Sequence, residues 1–91
     1  MLAVKIRGAP FRATCEEVED FFADHNPVAG SVAFGTYPDG SGRRDGWAVC
    51  LFENEDDAAK AIESLDGQQL GIRSVKLLDC DYEKYKKFGK Q

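Results

Sequence analysis

The sequence predicts one α+β domain with elements in the order β-α-β-β-α-β, a four-stranded antiparallel sheet carrying two helices on one face. Three observations carry this prediction. Segments near both ends and in the middle alternate apolar and polar residues, the period of a half-buried strand. Two segments between them place apolar residues at i, i+3 and i+4, the stripe of an amphipathic helix. A loop rich in Gly, Pro and Ser separates the second strand from the third closely enough for a hairpin.

The first strand is read over Leu2 to Arg7, with Val4 and Ile6 on one face and Lys5 and Arg7 on the other. Gly8-Ala9-Pro10 interrupts it. Thr14 then stands as an N-cap with Glu17 three residues on, the spacing of a capping box. Val18, Phe21 and Phe22 form the apolar face of the first helix, and Asn26-Pro27 ends it. Gly30 to Thr36 reads as the second strand, with Val32 and Phe34 inward. Tyr37 to Asp45 is loop, punctuated by Pro38-Asp39-Gly40-Ser41-Gly42. Gly46 to Phe52 is the third strand.

Asn54 caps a second helix whose stripe is Ala58, Ala61, Ile62 and Leu65, and Asp66-Gly67 stops it. Leu70-Gly71 is a short connection. Ser74 to Leu78 is the last strand, with Val75 and Leu77 inward. This order is the ferredoxin-like, split-βαβ pattern. Tyr82, Tyr85 and Phe88 recur every three residues, one side of a third helix in which Lys84, Lys86, Lys87 and Lys90 fall largely elsewhere. A helix that short is marginal in water unless its aromatic side docks. The division expected is therefore a domain over residues 1–79 and a helical extension over residues 80–91.

The 91 residues suit one domain, alone or cut from a longer chain. Hydrophobic residues make up 43% and charged residues 31%, which argues against disorder. No apolar run approaches the roughly 18–20 residues of a membrane helix, and no secretory signal is expected. Cys15, Cys50 and Cys80 are far apart and form no CxxC pair, so neither a disulfide scaffold nor a zinc site is expected. They read as reduced, mostly buried thiols of an intracellular protein. His25, the single histidine, sits at a helix end with no nucleophile in a recognisable setting. No glycine-rich phosphate loop or triad stands out, so the chain reads as non-catalytic, without cofactor or metal.

On this organisation the chain resembles an RNA recognition motif from about Ala3 to Leu78. The hexamer slot on the first strand is Val4-Lys5-Ile6-Arg7-Gly8-Ala9, and the octamer slot on the third is Asp45-Gly46-Trp47-Ala48-Val49-Cys50-Leu51-Phe52. Val4, Ile6, Ala48, Cys50 and Phe52 suit core positions. Of the three outward positions that are aromatic in such domains, two hold Lys5 and Val49, and only Trp47 remains. A stacked base contributes about 1–3 kcal/mol, so losing two platforms abolishes useful affinity by the sheet-stacking route. The domain then binds RNA elsewhere, or binds protein.

The run from Val4 to Phe11, followed by Thr14 and Glu17-Val18-xx-Phe21-Phe22, is similar to the quasi-RNA recognition motif of the heterogeneous nuclear ribonucleoprotein F/H family. So are Gly42-Arg43-xx-Gly46-x-Ala48, Glu55-Asp56-Asp57-Ala58 and Leu70-Gly71-x-Arg73. The resemblance implies recognition of single-stranded guanine runs by loops at one edge, within pre-mRNA splicing and processing in the nucleus, by a monomeric domain of a ribonucleoprotein. Carried over by position, the guanine cage is Arg7, Phe11 and Arg73. The chemistry suits purines: aromatic and guanidinium planes stack on a base, and arginine donates a fork of hydrogen bonds to guanine O6 and N7. Ser74 stands where that family has a tyrosine, which removes a stacking surface.

Each residue also has a plainer reading. Arg7 and Arg73 could be surface arginines, and Phe11 could fold back onto the domain. Arg43 and Arg44 in the hairpin loop fit phosphate contacts or exposed loop charges equally, Lys5 and Lys76 read as outward charges flanking the sheet or as solubilising ones, and Arg12 is counted with the RNA-facing bases. Trp47 could stack on RNA, meet protein, or lie beneath the tail; the last is favoured, with Ala33 and Gly35 seating Tyr82, Tyr85 and Phe88. The alternative function is protein recognition of the U2AF-homology kind, using an acidic first helix and an Arg-x-Phe motif. Glu16, Glu17, Glu19, Asp20 and Asp24 supply the acidity, but Arg73 is followed by Ser74-Val75 and the phenylalanine is absent.

The net charge of −4, with a pI near 4.9, first argues against RNA. Its distribution reverses that. Besides the five acids of the first helix, Glu53, Glu55, Asp56, Asp57, Glu63 and Asp66 surround the second, behind the sheet. Lys5, Arg7, Arg12, Arg43, Arg44, Arg73 and Lys76 lie on strands and loops. The local field faces RNA, with few phosphate contacts and a shallow salt dependence expected.

Overall fold

A computed structural model describes residues 2–86. Its strands are β1 (Leu2–Arg7), β2 (Ala33–Thr36), β3 (Arg44–Phe52), β4 (Gln69–Leu70), β5 (Arg73–Ser74) and β6 (Lys76–Cys80). Its helices are α1 (Cys15–Phe21), α2 (Glu55–Leu65) and α3 (Tyr82–Tyr85). The order β2-β3-β1-β6 makes a four-stranded sheet, and every pairing in it is antiparallel. This is the ferredoxin-like arrangement the sequence predicts.

The period-2 pattern becomes a two-faced sheet because register places like faces together. Val4 pairs with Cys50 and Ile6 with Ala48, and these join Val18, Phe22, Ala58, Ala61 and Leu77 in the core under the helices. Phe22 meets Phe52 edge-on, ring centres 5.4 Å apart. The helices start where their caps predict. Thr14 Oγ accepts from the Glu17 N–H at 3.1 Å, and Asn54 Oδ1 accepts from the Asp56 N–H at 2.9 Å. In the first cap the Thr14 hydroxyl points to the Glu17 carboxylate, so only half of the capping box forms. The helical path after Thr14 reaches its end in two steps, α1 and then a 3-10 turn over Ala23–His25 closed by Asn26 at φ 57°.

Three boundaries differ from the sequence reading. β2 begins at Ala33 rather than Gly30, because Val28–Ser31 closes a turn whose Ser31 Oγ reaches the Val28 carbonyl at 2.6 Å. β3 starts two residues early, at Arg44. The last strand divides: β5 pairs with β4 in a small hairpin through Gly71-Ile72, and only Lys76–Cys80 joins the main sheet. Gly71, at φ 66°, occupies the first position of that two-residue turn, where glycine is favoured.

The outer face of the sheet is split. Ala3, Val49, Leu51 and Cys80 form a second buried cluster with Ala33 and Tyr85 packed on it. The Tyr85 hydroxyl donates to the Ser31 carbonyl at 2.6 Å, which pins the tail. Among the described residues the extension docks through Tyr85, on the cluster that holds Val49 and Leu51. Gly35 does not form part of the seat: the Asp45 carboxylate occupies that space, and a Cβ on Gly35 would lie 2.5 Å from Asp45 Oδ1. The register shift between Phe34 and Thr36 brings the two together. Phe88 and its neighbours Lys87 and Lys90 lie outside the described residues.

Candidate nucleic-acid interface

The β1–α1 loop is built to present one aromatic ring. Ala9 and Ala13 are buried and act as its feet. Between them the Ala13 N–H donates to the Pro10 carbonyl at 3.1 Å, closing a turn with Phe11 and Arg12 at its apex. Phe11 is consequently 57% exposed, which excludes the core-packed alternative for its ring. At the loop's start, Gly8 takes φ 84°, and the Gly8 and Ala9 N–H groups both donate to the Gly46 carbonyl, at 2.9 and 3.0 Å.

Arg44 holds this loop from the far side. Its guanidinium donates to the Phe11 carbonyl at 3.2 Å and to the Ala13 carbonyl, while lying 3.7 Å from the centre of the Phe34 ring. Its charge remains at the edge, but its donors are engaged in positioning the Phe11 turn. That role joins residues more than thirty positions apart, so local spacing gave no sign of it.

The β4–β5 hairpin brings Arg73 to the same side. An open groove of about 440 Å³ is lined by Pro10, Phe11, Arg12, Ala13, Glu17, Gly71, Ile72 and Arg73. Arg7 opens onto a second groove of about 450 Å³ with Gly8, Asp66, Gly67, Ser74, Val75 and Lys76. Phe11 and Arg73 thus share one groove, and Arg7 sits in the second. Ile72, 92% exposed at the hairpin tip, is an apolar neighbour that the sequence reading passed over.

The remaining predicted residues distribute as follows. Lys5, Arg7 and Trp47 share the other half of the outer sheet face. Arg7 pairs with Trp47 in register, the Lys5 ammonium lies 4.3 Å from the indole ring centre, and the Arg7 guanidinium lies 6.0 Å from it. Val49, at the second lost platform, is fully buried. Arg12 is exposed beside Phe11. Arg43 sits in the β2–β3 loop, 5.5 Å above the Tyr37 ring and 3.4 Å from the Asp39 carboxylate. Hydrogen bonds from Ser41, side chain and backbone, and a weaker one from Arg43, hold the Asp39 carboxyl below its ordinary value. Tyr37, 44% exposed, lines a groove with Phe11, an approach that its place in a loop conceals in the sequence.

Among the described residues, no cluster of His, Cys, Asp and Glu could hold a metal ion, and no helix is long and apolar enough to cross a membrane. Cys50 is buried, and burial pushes its thiol up to about 11. Cys80 is raised for the same reason, while Cys15 is exposed.

The family model described as RNA recognition motif matches residues 4–76. RNA-binding protein 12 of Homo sapiens is 33% identical over 75 residues, covering 82% of this chain and 8% of that protein. The chain therefore spans less than a tenth of the length of that relative. Among solved structures, the Glorund qRRM2 domain superposes with a TM-score of 0.84 at 26% identity, covering 96% of this chain and 97% of the other. A G-rich RNA sequence binding factor 1 from Homo sapiens gives 0.78 at 26% identity, covering 90% and 82%.

Proposed function

This chain belongs to the RNA recognition motif family, an RNA-binding domain, and from that premise we propose that it recognises short guanine-rich single strands at its loop edge. The observation that carries the reading is the exposed Phe11 ring, held on a turn and sharing a groove with Arg73. A guanine stacks on Phe11, and the Arg73 and Arg7 guanidinium groups address its O6 and N7. Two facts favour the edge over the sheet face. Val49 is buried, and Lys5 rather than an aromatic ring stands beside Trp47. The likeness to a G-rich RNA sequence binding factor and to the Glorund qRRM2 domain adds support by analogy.

In this reading the domain is a monomeric unit of a longer nuclear ribonucleoprotein that acts in splicing or another step of pre-mRNA processing. Lys5, Arg12 and Arg43 supply phosphate contacts around the base site. The test is a titration of a GGG-containing oligonucleotide against a matched A-rich one. Preference for the guanine strand, reduced by Phe11→Ala in a folded domain, supports the proposal. Equal binding of the two strands, or binding indifferent to Phe11, overturns it. A tryptophan-bearing peptide that binds at the acidic α1 and Arg73, where guanine strands do not, would assign the fold to protein recognition instead.

A further inference from the structure

Beyond the Tyr85 cluster, register sets five side chains together on the outer sheet face. Arg7 on β1 lies between Trp47 on β3 and Lys76 on β6, and two residues back along β1 Lys5 lies opposite Leu78 of β6. Neighbouring strands run about 4.8 Å apart, and same-face residues along a strand repeat about every 6.8 Å, so three cations fall within one small patch. Arg7 and Lys76 are exposed, Leu78 is 36% exposed, and Lys5 and Trp47 are half-buried. Two acids border the patch, and both are engaged with backbone. Asp45 accepts from the Trp47 N–H at 3.0 Å, and Asp66, which lines a groove with Arg7 and Lys76, accepts from the Leu77 N–H at 2.8 Å. Among the described residues, neither Arg7 nor Lys76 forms an ion pair.

We propose that this patch docks an extended acidic segment of a partner protein, with carboxylates at alternate positions facing Lys5, Arg7 and Lys76. The inference does not rest on the loop-edge reading of Phe11. Charge complementarity carries it. An extended segment repeats its same-side residues at the spacing that separates Lys5 from Arg7, so two acids meet both cations without distortion. The Arg7 guanidinium offers a carboxylate a planar fork of N–H donors. Leu78 and Trp47 flank the cations with apolar surface, which excludes water and strengthens the pairs. The patch suits a peptide better than an RNA strand. The Lys5 ammonium lies 4.3 Å from the indole ring centre, with the Arg7 guanidinium 6.0 Å away, so a base finds no bare ring on which to stack. The chain's own acidic helices pack against the opposite face of the sheet, so the acids come from another molecule.

Trp47 is the chain's single tryptophan, so its emission reports on the patch directly. The domain is titrated with the synthetic peptide Asp-Ser-Asp-Ser-Asp and with its counterpart in which Asn replaces each Asp. The acidic peptide is expected to change Trp47 emission saturably and to bind roughly 3- to 150-fold more tightly than the amide one, the sum of three exposed charge pairs. Lys76→Glu is expected to weaken the acidic peptide roughly 2- to 30-fold, because an attraction becomes a repulsion. Phe11→Ala is expected to leave that affinity unchanged, which separates this site from the loop edge. Equal binding of the two peptides, no saturable response to the acidic one up to about 1 mM, or indifference to Lys76→Glu overturns the proposal. Displacement of the acidic peptide from the Phe11→Ala domain by an A-rich oligonucleotide assigns the patch to nucleic acid and also overturns it. Trp47 emission that changes with protein concentration alone, and ceases to do so in Lys76→Glu, assigns the patch to a second copy of the chain and overturns it as well.

Discussion

The outer face of the sheet and the loop edge beside it grow from the same strands but present opposite chemistry. On the sheet face, Val49 and Leu51 are buried beneath Tyr85, and the other half carries Lys5 and Arg7 around a half-buried Trp47. At the edge, Phe11 stands 57% exposed on a turn anchored by two buried alanines. The strands place residues by alternation, so every second residue must suit one face. The loops are free of that constraint and can hold an apolar ring in water where a ligand would meet it. The difference teaches that a face losing its stacking platforms need not leave the domain without a base-stacking surface.

The largest expected effect that would break this comparison is on Phe11. Phe11→Ala removes a stacking face from a residue that is 57% exposed. Affinity for a guanine tract should fall by about 1–3 kcal/mol, with the unfolding midpoint in urea unchanged. A loss of similar size at Val49, and none at Phe11, would return the site to the sheet. Next in size is Arg73→Lys, which keeps the charge but loses the planar fork. It should cost about 1–3 kcal/mol on guanine strands and little on A-rich ones, measured by competition titration.

Much of this architecture is legible in the sequence. The alternation from Leu2 to Arg7 and the caps Thr14 and Asn54 correspond to observed elements because they depend on neighbours a few residues away. The divided last strand is not legible, since Ser74 to Leu78 alternates well enough to read as one strand. Only the turn at Gly71 and the pairing of Leu70 with Arg73 separate it. The tail's docking follows from its aromatic spacing, but its exact seat depends on the register shift that puts Asp45 against Gly35. In the candidate site, Arg7, Phe11 and Arg73 could be picked out as residues. The clamp by Arg44 and the approach of Tyr37 could not, because both depend on contacts between distant loops.

Two smaller effects sharpen the contrast from the sheet side. Tyr85→Phe deletes the hydrogen bond to the Ser31 carbonyl and should lower stability by about 1 kcal/mol, read from urea unfolding. On the loop-edge proposal its affinity for a guanine tract should stay unchanged, because Tyr85 packs on the sheet face, away from Phe11. A separate effect, on stability alone, concerns pH. Cys50 ionises near its ordinary value of 9.0 when unfolded but only at about 11 when folded. The unfolded state therefore loses its proton first, and stability should decline as pH rises from about 9 toward 11. Cys50→Ala should flatten that decline, measured as the difference in urea midpoint between the two pH values.

The most direct test of the central claim is a map of backbone amide shifts during titration with a GGG-containing oligonucleotide and a matched A-rich strand. The account predicts shifts at Arg7, Phe11 and Arg73 and their loop neighbours with the guanine strand alone, with Val49 and Leu51 unmoved. Equal responses to both strands, or shifts centred on Trp47 and Val49 with the Phe11 turn silent, would contradict it.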